Sequence, residues 1–253
     1  MKRSIFIGYD PREAEAFGVC RHSLRRYAPD IPVHALELGW LRKAGLYRRQ
    51  MSKRDGKLWD DISEAPCATE FAISRFLTKD LAGSGWGLFM DCDILALTDV
   101  GELFAMADPR YAVMCVQHPN YVPPEKVKMD GQMQTLYARK NWSSVMLFNV
   151  NHPANEALTV DLINTVPGRD LHRFSWLKDD EVGDLPISWN WLVGTSDPEI
   201  TPDLVHFTAG GPWFSGYEDV PYADEWRCER TLWLSSSPHV KAQHPVNGLH
   251  AGA

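Results

Sequence analysis

Strands alternating with helical stretches along most of this 253-residue chain predict an α/β protein with a largely parallel sheet. Two observations carry that prediction. The apolar run at residues 4–9 stops at Asp10-Pro11 and gives way to helical spacing through Phe17, Cys20, Leu24 and Tyr27. A second run at 86–90 follows a helical stretch and ends on a pair of aspartates, Asp91-Cys92-Asp93. Hydrophobic residues at 44% and charged residues at 23% fit an ordinary globular chain, and the length fits one domain over residues 1–253. The tail after about 238 is small and polar and is expected to be flexible.

In chain order, a strand at 4–9 leads to a helix at 13–27, and a strand at 33–38 to a basic segment read as loop or broken helix. A helix at 69–81 rests on Phe71, Phe76, Leu77 and Leu81 and precedes the strand at 86–90. A short helix at 102–106, a strand at 111–116 and a long connection at 117–139 come next; long ordered connections usually carry function. A strand at 144–150 turns at Asn151-His152-Pro153 into a helix at 154–166. A strand at 204–208 and an amphipathic helix at 223–234 close the fold. No internal repeat or low-complexity segment is visible.

A formal charge of −7 argues against a protein that coats nucleic acid. One segment is locally basic, with Arg42, Lys43, Arg48, Arg49, Lys53, Arg54 and Lys57 against Asp55, and would suit an anionic acceptor, a membrane surface or plain solvent. Five scattered cysteines without zinc or CxxC spacing read as reduced thiols. No apolar run reaches the roughly 20 residues of a membrane span, and the N-terminal run is too short for a signal peptide. A cytoplasmic protein without a transmembrane segment is the expectation.

Carboxylates spaced i, i+2 at the end of a buried strand place hard oxygen ligands in the crevice where open α/β sheets bind ligands. Asp91 and Asp93 therefore read as ligands of Mn2+ or Mg2+ holding a phosphorylated substrate. Asp10 ends an earlier strand of the same sheet, either beside a base and ribose or as a simple turn residue. His206 precedes the turn Gly210-Gly211-Pro212-Trp213; a neutral imidazole completes a cation site, and paired glycines let backbone approach a phosphate. Neither GxGxxG nor a P-loop occurs, so metal and side chains would have to hold the phosphates.

Asp91-Cys92-Asp93, Leu185-Pro186-Ile187-Ser188-Trp189-Asn190 and the stretch from His206 to Trp213 resemble, in that order, the DxD, LPxxWN and HxxGxxKPW motifs of glycosyltransferase family 8. The resemblance spans roughly residues 4–215 and implies a GT-A, Rossmann-like fold. It implies a hexosyltransferase that moves a sugar from a nucleotide-diphosphate donor, UDP above all, with retention, to an unknown carbohydrate, lipid-linked or protein acceptor. It places Asp10 by the uracil or ribose and gives Arg75 the role of the YxRL arginine. Asn141 and Ser143, before Phe148-Asn149, resemble the strand facing the donor sugar, and Asp180 is the acid near the anomeric carbon. Trp142, Trp189, Trp191 and Trp213 fall in the corresponding loops, where tryptophan stacks on sugars or fills cores.

This chain departs from the family pattern at two places. Gly211 stands where the family has a diphosphate-neutralising lysine, in a motif one residue shorter, which leaves Arg75, Lys140 or Lys178 to supply the cation. The stretch between Asp179-Asp180-Glu181 and Leu185 is also much shorter than the family's. Two other classes fit a strand followed by DxD. One is a haloacid-dehalogenase-like phosphatase with Asp91 as nucleophile and Asp93 as acid-base, whose DxD normally opens the fold. The other is a nucleotide-sugar binding module without turnover.

Overall fold

The computed structural model describes residues 1–118 and 141–236. Strand β1 (Arg3–Gly8) buries five residues in succession, as a strand covered on both faces must. Asp10 then caps a short turn at Pro11–Glu13, and α1 (Ala14–Tyr27) lays Phe17, Cys20 and Leu24 on the sheet. After β2 (Val33–Leu36), the basic segment folds as a short helix, α2 (Leu38–Lys43), and an antiparallel unit of β3 (Met51–Arg54), β4 (Lys57–Asp60) and β5 (Ala65–Pro66). Asp55 and Gly56 both take positive φ, 51° and 76°, as a two-residue hairpin turn requires. Arg49 is wholly buried, paired with Asp60 and donating to the carbonyls of Ile163 and Val166. That pair fastens the hairpin unit to the body of the domain.

The helix expected at 69–81 is broken into turns, a 3-10 segment at Ser74–Leu77 and α3 (Thr78–Ala82). Next come β6 (Trp86–Met90), β7 (Ile94–Ala96), α4 (Gly101–Ala105), β8 (Val113–Cys115) and β9 (Val145–Asn149). The helix expected at 154–166 is split as well. A 3-10 turn at Pro153–Ala157 stops, and Thr159 caps a fresh start to α5 (Val160–Thr165). The chain ends in α6 (Gly168–His172), β10 (Val182–Asp184), β11 (Trp191–Leu192), β12 (Leu204–His206) and α7 (Ala223–Ser235).

The main sheet has the order β10-β8-β9-β6-β1-β2, and among the described residues only β9 runs against its neighbours. The C-terminal ends of β1, β6, β8 and β10 therefore share one edge with the start of β9. A second sheet, β11-β12-β7, sits beside it, with His206 in register with Ile94. That register delivers His206 next to Asp93. Among the described residues no helix is long and apolar enough to cross a membrane. All five cysteines are free, and four are buried. The tail after 238, Lys140 and most of the long connection lie outside the described residues.

Candidate metal and donor site

Asp91 and Asp93 leave the end of β6 with Cys92 between them. Cys92 turns into the core, where burial pushes its thiol well above the usual range, so the two carboxylates share the other side. The Asp91 amide donates to the Ser144 carbonyl at 3.0 Å, and the Phe207 amide donates to the Asp93 carbonyl at 3.0 Å. Backbone thus ties the acids to both neighbouring segments. His206, 1% exposed, brings its Nε2 to 3.3 Å from Asp93 Oδ1 and 4.0 Å from Asp91 Oδ2. Ligand atoms of all three residues lie within 4.8 Å of one another. Two hard oxygens and an imidazole nitrogen fit Mn2+ or Mg2+, with remaining positions for donor oxygens or water.

The other face of His206 is fixed. Its Nδ1 lies 2.9 Å from Asn190 Oδ1, and Asn190 Nδ2 donates to Ser144 Oγ at 2.9 Å and to the Asn141 carbonyl at 3.3 Å. The motif asparagine of the 185–190 stretch therefore lies directly behind the histidine of the 206–213 motif.

Arg75 is 6% exposed and stacks on Phe71 and Phe89. Its Nε donates to the Ala72 carbonyl at 3.0 Å, and its Nη1 donates to the Ser143 carbonyl at 2.8 Å and pairs with Asp91 Oδ1 at 2.9 Å. The guanidinium grips a cluster carboxylate and two backbone oxygens. Ser143 also shares a 2.7 Å hydrogen bond with His172, whose pKa is lowered to about 3 by burial and by the Arg75 charge. His172 is consequently neutral near pH 7.

Asp10 is 0% exposed, and Arg12 pairs with one oxygen at 2.7 Å while its amide and the Glu70 amide donate to the carboxylate. Burial raises the Asp10 pKa, but the hydrogen bonds from Arg12 and Glu70 outweigh it and hold the carboxyl below the usual range. A depressed folded-state value contributes stability above the ordinary Asp pKa of about 3.9 and loses it as pH falls through the lower value. Melting curves of wild type and Asp10→Asn recorded against pH are therefore expected to differ above about pH 4 and to converge in stronger acid. Parallel curves at every pH would show that the Asp10 charge contributes nothing to the fold.

Gly210 takes a φ of 142°, and a Cβ on Gly211 would enter the ring of Trp213, which packs against Phe207 and Trp226. Any side chain at 211 would therefore have to displace that ring. Gly211→Ala is expected to cost about 1–3 kcal/mol by overpacking and to lower Tm by roughly 3–10 °C in a thermal melt. An unchanged Tm would mean that Trp213 yields freely.

Asp180 is exposed on the turn before β10, at the other end of the sheet from Asp91. Val182 is level with Val113, Val113 with Phe148, and Phe148 with Gly87. Asp91 lies beyond Gly87 while Asp180 lies before Val182, a separation on the order of 15–20 Å along the strands. Lys178 sits on the same distant turn. Asp184, four residues further on at the end of β10, accepts from the Gln117 amide at 3.1 Å. Trp189 and Trp191 fill core positions rather than open loops, whereas Trp142 is half-buried near the cleft and donates weakly to the His118 carbonyl. His118 was not anticipated: it is buried, and burial lowers its pKa to about 4. No local motif marks it.

No family model matches the chain. Protein CDI of Arabidopsis thaliana is 46% identical over 230 residues, which are 88% of this chain and 83% of that protein. This chain belongs to the family of Protein CDI. Among solved structures, it is similar to the WbbM bifunctional glycosyltransferase, with a TM-score of 0.58 and 17% identity over 90% of this chain and 49% of that one. GlyE of Streptococcus pneumoniae TIGR4 aligns with a TM-score of 0.57 and 13% identity, covering 93% of this chain and 62% of that one. The galactosyltransferase LgtC, solved with donor and acceptor sugar analogs, aligns with a TM-score of 0.54 and 13% identity over 90% and 95%. The chain spans only about half to three-fifths of WbbM and GlyE but nearly all of LgtC. The fold is GT-A, as the motifs imply. Strands β1 and β2 precede the DxD pair, unlike the arrangement a haloacid-dehalogenase reading needs.

Proposed function

We propose that this chain is a metal-dependent glycosyltransferase that moves a hexosyl group, with retention, from UDP to a carbohydrate, lipid-linked or protein acceptor. The observation that carries the reading is the convergence of Asp91, Asp93 and His206 at the C-terminal edge of a GT-A sheet. Along that edge the order is Asp10 after β1, Asp91 after β6, Asn141 and Ser143 before β9, then Gln117 and His118 after β8. Neighbouring strands are about 4.8 Å apart, so the row spans about 14 Å, comparable to an extended nucleoside diphosphate sugar.

In this reading the nucleotide end lies by Asp10, which together with its partner Arg12 holds the 68–70 segment as a wall rather than touching the base with a free carboxylate. The diphosphate lies by Asp91, Asp93, His206 and the Gly210-Gly211 backbone, and the sugar faces Asn141 and Ser143. A divalent cation bound there would offset the charge that develops on the departing diphosphate. The bond from the anomeric carbon to the diphosphate oxygen breaks, a bond to the acceptor oxygen forms, and the acceptor proton leaves with the diphosphate. Asp184, at the correct end of β10, suits the acid role better than Asp180.

A panel of nucleotide sugars screened by thermal shift with and without Mn2+ tests the donor, because a ligand of the folded state raises Tm. Product anomer analysis then tests retention. A binding module would show the shift without transfer or donor hydrolysis. No Mn2+-dependent shift with any donor would overturn the metal-dependent reading.

A further inference from the structure

We propose that Asn190 is a positioning residue that fixes the His206 tautomer, keeping the Nε2 lone pair directed at Asp91 and Asp93. The inference rests on the metal reading above and extends it to a residue that touches neither cation nor donor. A neutral imidazole has one N–H and one lone pair, and only the lone pair binds a cation. The two carboxylates oppose the useful arrangement. An N–H on Nε2 would find Asp93 Oδ1 at 3.3 Å and Asp91 Oδ2 at 4.0 Å, so the acids alone would draw the proton to the wrong nitrogen.

The hydrogen-bond chain behind the ring opposes them, and its direction follows from one group that can only accept. The Asn141 carbonyl takes the Ser144 hydroxyl at 2.6 Å and lies 3.3 Å from one terminal atom of Asn190. A carbonyl has no proton to give, so that atom is Nδ2. It donates as well to Ser144 Oγ at 2.9 Å, whose own proton is already committed to Asn141. Asn190 Oδ1 must then face His206, and at 2.9 Å it requires a proton on Nδ1. Asn190 and His206 are 0% and 1% exposed, so water does not stand in for either partner.

Asn141 adopts a left-handed φ of 64°, a conformation asparagine tolerates better than most side chains. The same turn accepts the Asp91 amide on the Ser144 carbonyl, so one short segment orients both a carboxylate ligand and, through Asn190, the imidazole ligand.

Long-range 1H–15N correlation of the imidazole in metal-free protein, at a pH of about 8.5 where histidine is ordinarily neutral, reads the tautomer directly. A proton on Nδ1 is expected. A proton on Nε2, as the other tautomer or as imidazolium, would overturn the inference whatever the variants do. Mn2+ binding followed by EPR supplies the second readout. Asn190→Leu is expected to weaken Mn2+ about 10–100-fold, the usual effect of losing such a supporting partner. Asn190→Asp keeps an acceptor for Nδ1 and is expected to stay within about three-fold of wild type. Equal affinity in a folded Asn190→Leu, or a ten-fold loss in Asn190→Asp, would overturn it. Wild type that fails to bind Mn2+ even with UDP would refute the metal reading instead, and the tautomer measurement would still stand by itself.

Discussion

Asp93→Ala is expected to abolish Mn2+-dependent UDP binding and to reduce sugar transfer by about 100-fold or more, while the metal-free protein melts no lower than wild type. Loss of a ligand forfeits several kcal/mol of charge stabilisation on the departing diphosphate, and about 2.7 kcal/mol already corresponds to 100-fold. Unchanged folding follows from the electrostatics of the cluster. Asp93 places a second carboxylate close to Asp91, and removing it relieves repulsion between like charges. Calorimetric titration of UDP with and without Mn2+, beside a thermal melt, measures both effects. Undiminished Mn2+-dependent UDP binding in a folded Asp93→Ala protein would sink the site.

Periodicity and strand-end chemistry made most of the main sheet, though not β10, and the Asp91-Asp93-His206 cluster legible, because a buried run ending in two acids constrains both where the strand stops and which way its carboxylates face. The hairpin at residues 51–60 was legible in principle, since Asp55-Gly56 is a strong turn signal, but the surrounding lysines and arginines masked its short alternation. Breaks inside the stretches expected as helices at 69–81 and 154–166 depend on tertiary packing and on the Thr159 cap, which override the helical period. Asp180 lies far from the cluster for another reason. Motif order sets sequence, not which end of a strand a residue occupies, and three residues of β10 carry the chain from the wrong edge to the right one. His118 and the contact between Asn190 and His206 are long-range products of the fold. The motifs carry both motif residues but not their contact.

Arg75 shows how burial changes an expected phenotype. From sequence alone it is a candidate, beside Lys140 and Lys178, to replace the lysine missing at Gly211, and its substitution would be expected to cost transfer and leave the fold intact. The structure couples the two. Arg75→Ala would leave Asp91 without its buried counter-charge and remove donors from the carbonyls of Ala72 and Ser143. Breaking one side of a buried ion pair costs about 3 kcal/mol or more, or roughly 10 °C in Tm for a domain of this size. Mn2+ affinity should fall as well, because Asp91 Oδ1 loses the contact that directs Oδ2 toward His206. Arg75→Lys keeps the charge but not a planar group able to meet Asp91, Ser143 and Ala72 together while stacked on Phe89, so it should fall between wild type and alanine in both readouts. Thermal melts of the three metal-free proteins, followed by Mn2+ titration, test this order. If Arg75→Ala melts within about 2 °C of wild type while transfer collapses, the pair with Asp91 carries little stability and the guanidinium acts on the donor.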